Sequence, residues 1–575
     1  MNIITSSSEN SNAHLTEKNL TLFCWSVVGT LLGFFFLTQL FVVILFAVNL
    51  KVTFLVAPVA FILSLTGGYW FAKREGLTKK YLIASLSISL VITIISLFVA
   101  NAFYDLSWDG LWYHQTAVYQ MAHGWNPVYD PLHNFTPHLQ TWLRFYAKGP
   151  WYIDLALFET TQNIEMAKAA AIITFPLMFL AGFALMIELG LKKLNAAITS
   201  ALITLNPVIT CELVSYLVDG LMISFLFIST AAMIRWFRKP SLLLILIAIM
   251  SAVLCINSKF TGLVYLCFFI AAGGIYILIK ERKRFLKYLD FYSAAFIFGL
   301  VIIGWNPYIT NTISRGNPFY PILGSSEHPS LSAMGQDPIE LYETPPNMRG
   351  KSRFIRFTYA IFGRPGANPA YPGPDAVLMP PFDIGWKDFS IYYFHDVRIS
   401  GFGPLFSGVL ILSIILLVFV LSQKNSPKLF IILLCTAIIL SLLVSQHTWW
   451  ARYGPQLWLL PVIAIIAGFI FSKNRFTFWF TRALAAILLI NAILIAVVHF
   501  NWEVDATQTT NMQMSMLKQK GDVEIDFQYF REPFSERLKN AGVTFHAVHN
   551  FQCDKPIELM SVSPGYPGGV RACVK

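Results

Sequence analysis

The stretch KREGLTKKYLIASLSISLVITIISLFVANAFYDLSWDGLWYHQ, residues 73–115, contains in order a basic connector, an apolar run and a polar, aromatic segment. The apolar run 81–101 has the length of about 20 residues with which an α-helix crosses a bilayer. Basic connectors and apolar runs recur in this way along the chain. The stretch therefore predicts an α-helical polytopic membrane protein in which Asp105, Asp109 and His114 lie directly beyond the end of a span.

The composition of the 575-residue chain fits this fold class. Hydrophobic residues make up 56%, charged residues only 13%, and the mean hydropathy is +0.59, which is outside the range of ordinary soluble domains. A net charge of +11 would indicate a nucleic-acid partner in a soluble protein, but here the cations lie in connectors between spans. No nucleic-acid partner is expected. The polar residues 1–20 precede a run too long for a signal peptide, so we expect a cytoplasmic N-terminal tail and a retained first span.

The spans and their connectors predict the orientation of the chain. We predict about thirteen spans, near residues 21–48, 52–72, 81–101, 168–190, 196–211, 217–235, 241–256, 260–279, 289–305, 401–422, 429–446, 455–472 and 483–499. With that count, six connectors rich in Lys and Arg fall on one side: 73–80, 192–195, 235–240, 280–287, 424–428 and 473–482. The positive-inside rule makes that side cytoplasmic. We therefore expect residues 102–167, 305–400 and the tail to lie outside the cytoplasm.

Two outer parts are expected to fold beside the transmembrane domain of residues 21–499. The segment 305–400 carries thirteen prolines and repeated Gly-Pro turns, which predict a large outer cap rather than a linker. The tail 500–575 has the pattern of strand, amphipathic helix and strand, which predicts a small soluble α/β unit. Cys553 and Cys573 lie in this tail on the oxidising side, so we expect a disulfide between them.

Asp109, Asp105 and His114 are the candidate catalytic residues. The two carboxylates lie four residues apart, tryptophans flank Asp109, and His114 follows it by five residues. An isolated Asp in a loop is usually a helix cap. Burial at an apolar surface, however, raises the pKa of a carboxyl group, and a carboxylate with a raised pKa is a better general base. We therefore expect a raised pKa for Asp109 and a substrate contact from Tyr113. Asp105 and Asp109 could also hold a divalent cation, although their spacing does not require one.

Lys259 and Arg452 are candidate phosphate-binding residues. Lys259 lies in NSKFTGL, residues 257–263, at an outer turn between short spans, where cations are otherwise scarce. It either extends to the membrane interface or binds a phosphate at the start of the next helix. Arg452 lies among tryptophans and a tyrosine, and the same two interpretations apply to it: it either extends to the membrane interface or binds a phosphate. The three weaker candidates are Asp219, His395 and His447, which are more simply hydrogen-bonded structural residues. Asp219 opens a span, however, and could face the substrate.

Several stretches resemble the GT-C glycosyltransferase superfamily over roughly residues 80–470. The first outer segment matches in the pattern Asp-x-x-x-Tyr-His at 109–114 and in Gly-Trp-Asn-Pro at 124–127. It is similar, more narrowly, to bacterial relatives of the protein O-mannosyltransferases and aminoarabinose transferases. The family loop commonly has Asp-Glu, whereas Gly110 follows Asp109 here. Further similar stretches lie at 138–157, 205–225, 305–323 and 449–461.

The resemblance implies an inverting glycosyltransferase of the bacterial inner (plasma) membrane, which takes a sugar from a polyprenyl-phosphate donor on the non-cytoplasmic face. Lys148 has the position of a basic residue that meets the lipid phosphate. The acceptor hydroxyl belongs to a glycan, lipid or protein, the surrounding lipids are further partners, and no cofactor is required by the sequence. Two alternatives stay open. An O-antigen-type polymerase or ligase would rely on outer-loop arginines such as those of 349–364, and a transporter or lipid flippase would show an inverted repeat.

Overall fold

The computed structural model describes residues 5–366, 373–423, 427–472, 474–548, 551–561 and 569–574, without the side chains of residues 5–16. The apolar stretches form helices over Thr5–Ala47, Val56–Arg74, Lys79–Ala102, Ala169–Glu188, Lys193–Thr204, Asp219–Arg238, Leu242–Ser258, Phe260–Lys280, Phe285–Phe296 continued by Ile297–Ile302, Phe406–Leu421, Lys428–Val444, Leu459–Phe471 and Arg475–Lys520.

Seven helices of the described chain are long and apolar enough to cross a membrane. They are Glu17–Ala47, Lys79–Ala102, Ile164–Glu188, Asp219–Arg238, Phe260–Lys280, Arg282–Ile302 and Arg475–Lys520. Four further apolar helices are shorter, at Leu242–Ser258, Phe406–Leu421, Lys428–Val444 and Pro455–Phe471. The α-helical fold class is thus confirmed, while the count of thirteen crossings stays a prediction.

The first helix lies at the centre of the N-terminal half of the bundle. Thr5–Ala47 packs against Val56–Arg74, Ala169–Glu188 and Leu242–Ser258. Small residues allow the closest approach, since a Cβ added at Gly68 would lie 2.1 Å from the hydroxyl of Thr30. The other faces of several helices stay apolar and exposed, as is expected of surfaces that contact lipid.

Three of the predicted basic connectors contact one another at one end of the bundle. Ser241 donates a hydrogen bond to Glu75 over 2.6 Å, and Arg284 donates to the carbonyl of Phe237 over 2.7 Å. These contacts join the connectors that begin near residues 73, 235 and 280. Their position at one end of the bundle agrees with the prediction that successive helices run in opposite directions and place these connectors on the same side.

The outer segments fold together at the other end. Short helical turns carry them: Gly110–His114, Gln115–Ala122, Pro137–Phe145, Gly149–Thr161 and Ile164–Ala167 in the first, and Trp305–Ile309, Thr310–Arg315, Ile339–Glu343, Pro346–Met348, Arg353–Phe362 and Trp386–Phe389 in the cap. Asn306 donates to the carbonyl of Pro127 over 2.9 Å, and Asn311 donates to that of Phe145 over 3.1 Å. These bonds hold the cap against the first outer segment.

The tail contains the predicted strand, helix and strand within a four-stranded sheet. Its strands are β1 (Val523–Asp526), β2 (Phe545–Ala547), β3 (Ile557–Glu558) and β4 (Arg571–Val574), in the order β2-β1-β4-β3. The helix Arg531–Ala541 connects the parallel pair β1 and β2. β4 lies antiparallel to both of its neighbours.

Two sequence-based expectations about the tail have different outcomes. The disulfide between Cys553 and Cys573 is present, as predicted, and ties β4 to the segment before β3. The domain boundary expected at residue 500 instead falls inside the helix Arg475–Lys520. The apolar part of this helix continues without a break into a polar part, so the sheet unit begins after residue 520.

Candidate functional site

A cleft at the cap end of the bundle brings together four segments that are distant in sequence. The cleft is small and partly open to solvent, with room for about one water molecule. Its lining residues come from the first outer segment, the start of a span, the cap and the turn after Lys428–Val444: Ser107, Trp108, Asp109, Leu217, Phe394, His395, Asp396 and Arg452. Asp109 and Arg452, predicted separately from sequence, thus share one cleft.

Asp109 and Arg452 form an ion pair in this cleft. The Nη2 atom of Arg452 donates to Oδ2 of Asp109 over 2.8 Å, and the Tyr113 hydroxyl donates to the same oxygen over 3.4 Å. The side chain of Asp109 is 20% exposed, whereas that of Arg452 is 7% exposed. The guanidinium also lies over the Trp450 ring and 3.9 Å from Asp396. Arg452 is therefore held from several sides, while one face of the Asp109 carboxylate stays accessible.

The expected raised pKa of Asp109 is wrong. Burial by itself raises the pKa of this carboxyl, but the adjacent guanidinium of Arg452, together with smaller contributions from His114 and Lys259, lowers it by more. The pKa of Asp109 lies below its ordinary value as a result. Asp109 is therefore ionised at neutral pH and engaged with a cation, so it is a weaker base than the sequence indicated.

The local backbone explains the Asp-Gly sequence at the cleft. A π-helical turn, Gly110–His114, follows Asp109, and wide turns of this kind are frequent at functional sites. A Cβ added at Gly110 would lie 2.0 Å from Oδ2 of Asp105. The glutamate that follows the aspartate in the resembled family cannot stand at this position unless Asp105 moves.

Asp105 is fully buried, and its hydrogen bonds stabilise the loop. Its Oδ1 accepts hydrogen bonds from the amide and the hydroxyl of Ser107, at 2.9 Å and 2.7 Å. Its Oδ2 accepts from Gln115 at 2.9 Å and from the amide of Tyr216 at 3.3 Å. A carboxylate can accept about four hydrogen bonds, so these four occupy both oxygens of Asp105. The expected catalytic or cation-binding role would require Asp105 to give up these bonds, and its side chain does not line the cleft.

His114 also faces the interior rather than the cleft. Its Nδ1 accepts a hydrogen bond from the indole of Trp151 over 2.6 Å, and the ring of Tyr113 lies 4.2 Å away between centroids. Burial lowers the pKa of His114 to about 3. The imidazole is therefore neutral at ordinary pH, and its contacts are those of a packed structural residue.

Lys259 and Asp219, both predicted to contact substrate, form a second buried ion pair. The Nζ atom of Lys259 lies 2.6 Å from Oδ1 of Asp219 and 4.2 Å from the centroid of the Tyr453 ring. Arg452 lies 5.3 Å from the centroid of the same ring. Tyr453 therefore stands between two cations that each have a carboxylate partner. Lys259 does not extend to a membrane interface, because it is ion-paired in the interior.

Lys148 lies apart from the cleft. Its Nζ atom donates to the carbonyls of Arg144 and Tyr146, at 2.8 Å and 3.0 Å. Burial, with a smaller effect from Arg144, lowers the pKa of Lys148 well below its ordinary value. The expected phosphate contact would need this side chain to leave its present partners.

The structure also contains two clusters that the sequence analysis missed. Arg537 of the tail donates to Glu165 over 2.7 Å and to the carbonyl of Asp105 over 2.6 Å, and Lys168 pairs with the same glutamate. The second cluster consists of His395, His499 and Glu503. Only the spacing of four residues between His499 and Glu503 on one helix face could have indicated it from sequence.

The other weak candidate, His447, has the structural contact expected of it. Its Nε2 atom lies 3.2 Å from a carboxylate oxygen of Asp337 in the cap.

Comparison with known proteins adds no identification. No protein-family model and no curated protein matches this chain. The functional conclusion therefore depends on the geometry of the cleft and on the sequence resemblance.

Proposed function

We propose that this chain is a membrane-embedded inverting glycosyltransferase of the GT-C kind, which moves a sugar from a polyprenyl-phosphate donor to an acceptor hydroxyl. The ion pair of Asp109 and Arg452 in a cleft at the cap end of the apolar bundle is the observation that carries the proposal. Such a transfer needs a base for the hydroxyl and a cation for the departing phosphate. The two groups adjoin here, beside helices among which a polyprenyl chain could lie.

The reaction would proceed by displacement at the anomeric carbon. The acceptor oxygen attacks this carbon on the face opposite the phosphate, and the new carbon–oxygen bond forms as the bond to the phosphate oxygen breaks. The proton of the hydroxyl passes to Asp109. The electron pair stays on the phosphate, whose added negative charge Arg452 and Lys259 stabilise.

The present pairing of Arg452 suggests how donor binding activates the base. While Arg452 is bound to Asp109, the pKa of the carboxyl is low and its basicity is weak. A donor phosphate competes for the guanidinium, whose five N–H groups can be shared between two anions. Part of the interaction with Asp109 is then lost, and its pKa rises. The base becomes stronger when the leaving group is in place.

The contacts of the cap arginines favour this proposal over an O-antigen-type polymerase. Arg356 binds Glu340 through two hydrogen bonds of 2.7 Å and 2.8 Å, and Arg364 binds Asp383 and Asp388. The arginines of 349–364 are not among the described residues that line the cleft. Their bonds connect parts of the cap to one another and, through Arg353 and Arg356, to the carbonyls of Leu443 and Gln446, which is a structural use.

Mass spectrometry of surface glycans and glycolipids would test the proposal. A deletion strain should lack one sugar that its parent carries, and a plasmid copy of the wild-type chain should restore it. A copy with Asp109→Asn, present in the membrane at the same level, should not. Glycans and glycolipids that are identical in the deletion strain and its parent would overturn the proposed function. If they differ, the mass difference and the molecule that carries it identify the sugar and the acceptor.

A further inference from the structure

Three buried side chains that the proposed reaction does not use meet beside the cleft. His395 belongs to the cap, while His499 and Glu503 lie one turn apart on the helix Arg475–Lys520. Their nitrogen and carboxylate atoms lie within 4.8 Å of one another. The Oε1 atom of Glu503 is 2.7 Å from Nε2 of His395 and 3.6 Å from Nε2 of His499.

These separations suit atoms that bind a common ion. Zinc bonds nitrogen and oxygen at about 2.0–2.1 Å, which places tetrahedral ligand atoms about 3.3 Å apart. The two observed separations lie on either side of that value. The third separation, between the two histidine nitrogens, is at most 4.8 Å, so rotation of the two rings would bring the three atoms around one ion.

The cluster leaves polar atoms unsatisfied in a dry environment. His395 is 1% exposed, and His499 and Glu503 are 0% exposed. Within the part of the chain that the structure describes, no hydrogen bond of acceptable geometry is made by either ring nitrogen of His395, by Nε2 of His499 or by the carboxylate oxygens of Glu503. Buried polar atoms in such a state are unfavourable unless a further group binds them.

The orientation of His499 indicates that the further group is a cation. Its Nδ1 atom lies 2.9 Å from the carbonyl oxygen of Tyr392, so this nitrogen carries the hydrogen and Nε2 presents a lone pair. That lone pair faces the carboxylate of Glu503, which is also an acceptor. The carbonyl of Cys211 approaches the ring too, without ordinary hydrogen-bond geometry. A main-chain carbonyl on the remote nitrogen is how metal-binding histidines are commonly oriented.

We propose that His395, His499 and Glu503 bind one divalent transition-metal ion, with zinc the best match to the ligands. Two imidazoles and one carboxylate are typical zinc ligands, whereas calcium and magnesium prefer sites made of oxygen atoms. The ion joins the cap to the last helix. Asp396 follows His395 directly and lies 3.9 Å from Arg452, so the ion also positions the wall of the cleft beside that guanidinium.

A proton is the competing cation. Burial lowers the pKa of His395, but the neighbouring carboxylate of Glu503 raises it by more, so the net shift is upward. A protonated His395 ring could therefore pair with Glu503 without a metal ion. The metal content of the full-length chain distinguishes the two arrangements. This test does not depend on the proposed glycosyl transfer, because it measures no sugar.

The experiment uses the full-length protein with a tag free of histidine, purified in detergent from zinc-supplied cells and washed with a weak chelator. Elemental mass spectrometry should find about one zinc per chain in the wild type and in the control His447→Gln, whose histidine pairs with one carboxylate elsewhere in the cap. The variants His499→Ala and Glu503→Ala should lose most of it. Zinc added to stripped wild-type protein should raise its Tm and should leave that of His499→Ala unchanged.

A conservative replacement keeps the test independent of folding defects. His395→Cys retains a zinc ligand, so it should keep zinc, and cobalt added to the stripped variant should give a thiolate charge-transfer band that the wild type lacks. Wild-type protein without stoichiometric metal, whose Tm does not respond to added zinc or cobalt, would overturn the metal site in favour of the proton. Metal content that is equal in the wild type, His499→Ala and Glu503→Ala would also overturn it.

Discussion

Arg452 donates a hydrogen bond of 2.8 Å to Asp109, although 343 residues separate them in the chain. The contact places a strong cation against the carboxylate with the most evident catalytic position. It lowers the pKa of Asp109 despite burial, and it couples the state of this base to whatever else binds the guanidinium.

The first prediction concerns Asp109 as the base. Asp109→Asn keeps the shape and can still accept a hydrogen bond from Arg452, so folding should be nearly unchanged. Because the amide carries no charge that competes for the guanidinium, donor binding should be as tight as in the wild type or tighter. Turnover should fall about 100-fold or more, the usual effect of losing a general base. Turnover is measured with a polyprenyl-phosphate sugar and purified protein, and full activity of a well-folded variant would refute the assignment.

Asp105→Asn is the matched comparison within the same loop. The amide replaces one of the two carboxylate oxygens, so its hydrogen atoms face either the donors of Ser107 or those of Gln115 and Tyr216. The main effect should therefore be a lower Tm, and the fraction that folds should retain most of its turnover. A stable Asp105→Asn protein with the turnover loss of Asp109→Asn would return Asp105 to the catalytic residues.

The second prediction is a shift in pH dependence. Because the guanidinium of Arg452 lowers the pKa of Asp109, Arg452→Gln should raise that pKa. The base is then protonated at higher pH, so the acid limb of the kcat/KM profile should move upward in pH, beyond any fall in its maximum. Arg364→Gln, which breaks ion pairs with the exposed Asp383 and the buried Asp388 of the cap, is the control and should leave the limb in place even where it lowers Tm. An acid limb that does not move in Arg452→Gln would contradict the coupling.

The third prediction separates two roles of Lys259. Lys259→Ala leaves the buried Asp219 unpaired and should lower Tm, whereas Lys259→Met combined with Asp219→Asn removes both charges and should recover much of it. Donor affinity should stay about 10- to 100-fold weaker in the double variant, the cost of a lost hydrogen bond to a charged group. Wild-type affinity in the double variant would mean that Lys259 only balances Asp219.

The fourth prediction concerns the docking of the tail. Arg537 is buried between Glu165 and the carbonyl of Asp105, so Arg537→Ala leaves a buried carboxylate with one partner fewer. Because Lys168 still pairs with Glu165, we expect a cost of about 2–3 kcal/mol, below that of a buried carboxylate left without a cation. It should appear as a lower Tm and faster proteolysis near residue 521. Lys539→Ala, on the same helix in an exposed pair, should change neither value.

The fifth prediction is the orientation of the chain. In a background lacking Cys267 and Cys435, a membrane-impermeant maleimide applied to intact spheroplasts should label single cysteines at Asp130, Lys351 and Asn540 but not at Lys80. All four positions are exposed, and they avoid the glycines with positive φ nearby, where a side chain would be strained. Labelling at Lys80 together with protection at Lys351 would reverse the topology and remove the proposed mechanism.

Properties that depend on neighbouring residues could be predicted from the sequence alone. Apolar runs specify helices, seven of them of membrane length in the described chain, because every backbone polar group in hydrocarbon must be satisfied within the segment. The strand, helix and strand of the tail follow from local periodicity and from Gly542. The pairing of Cys553 with Cys573 also followed, since these two cysteines lie in polar sequence and are close along the chain.

The tertiary structure decided which charges meet. Burial of Asp109 could be inferred from its aromatic neighbours, but the sign of its pKa shift depended on Arg452, which another part of the chain supplies. Asp105 has similar neighbours, yet hydrogen-bond donors from its own loop and from Tyr216 occupy it completely. Electrostatic and hydrogen-bond energies change over a few ångströms, and sequence spacing does not specify distances of that size between segments hundreds of residues apart.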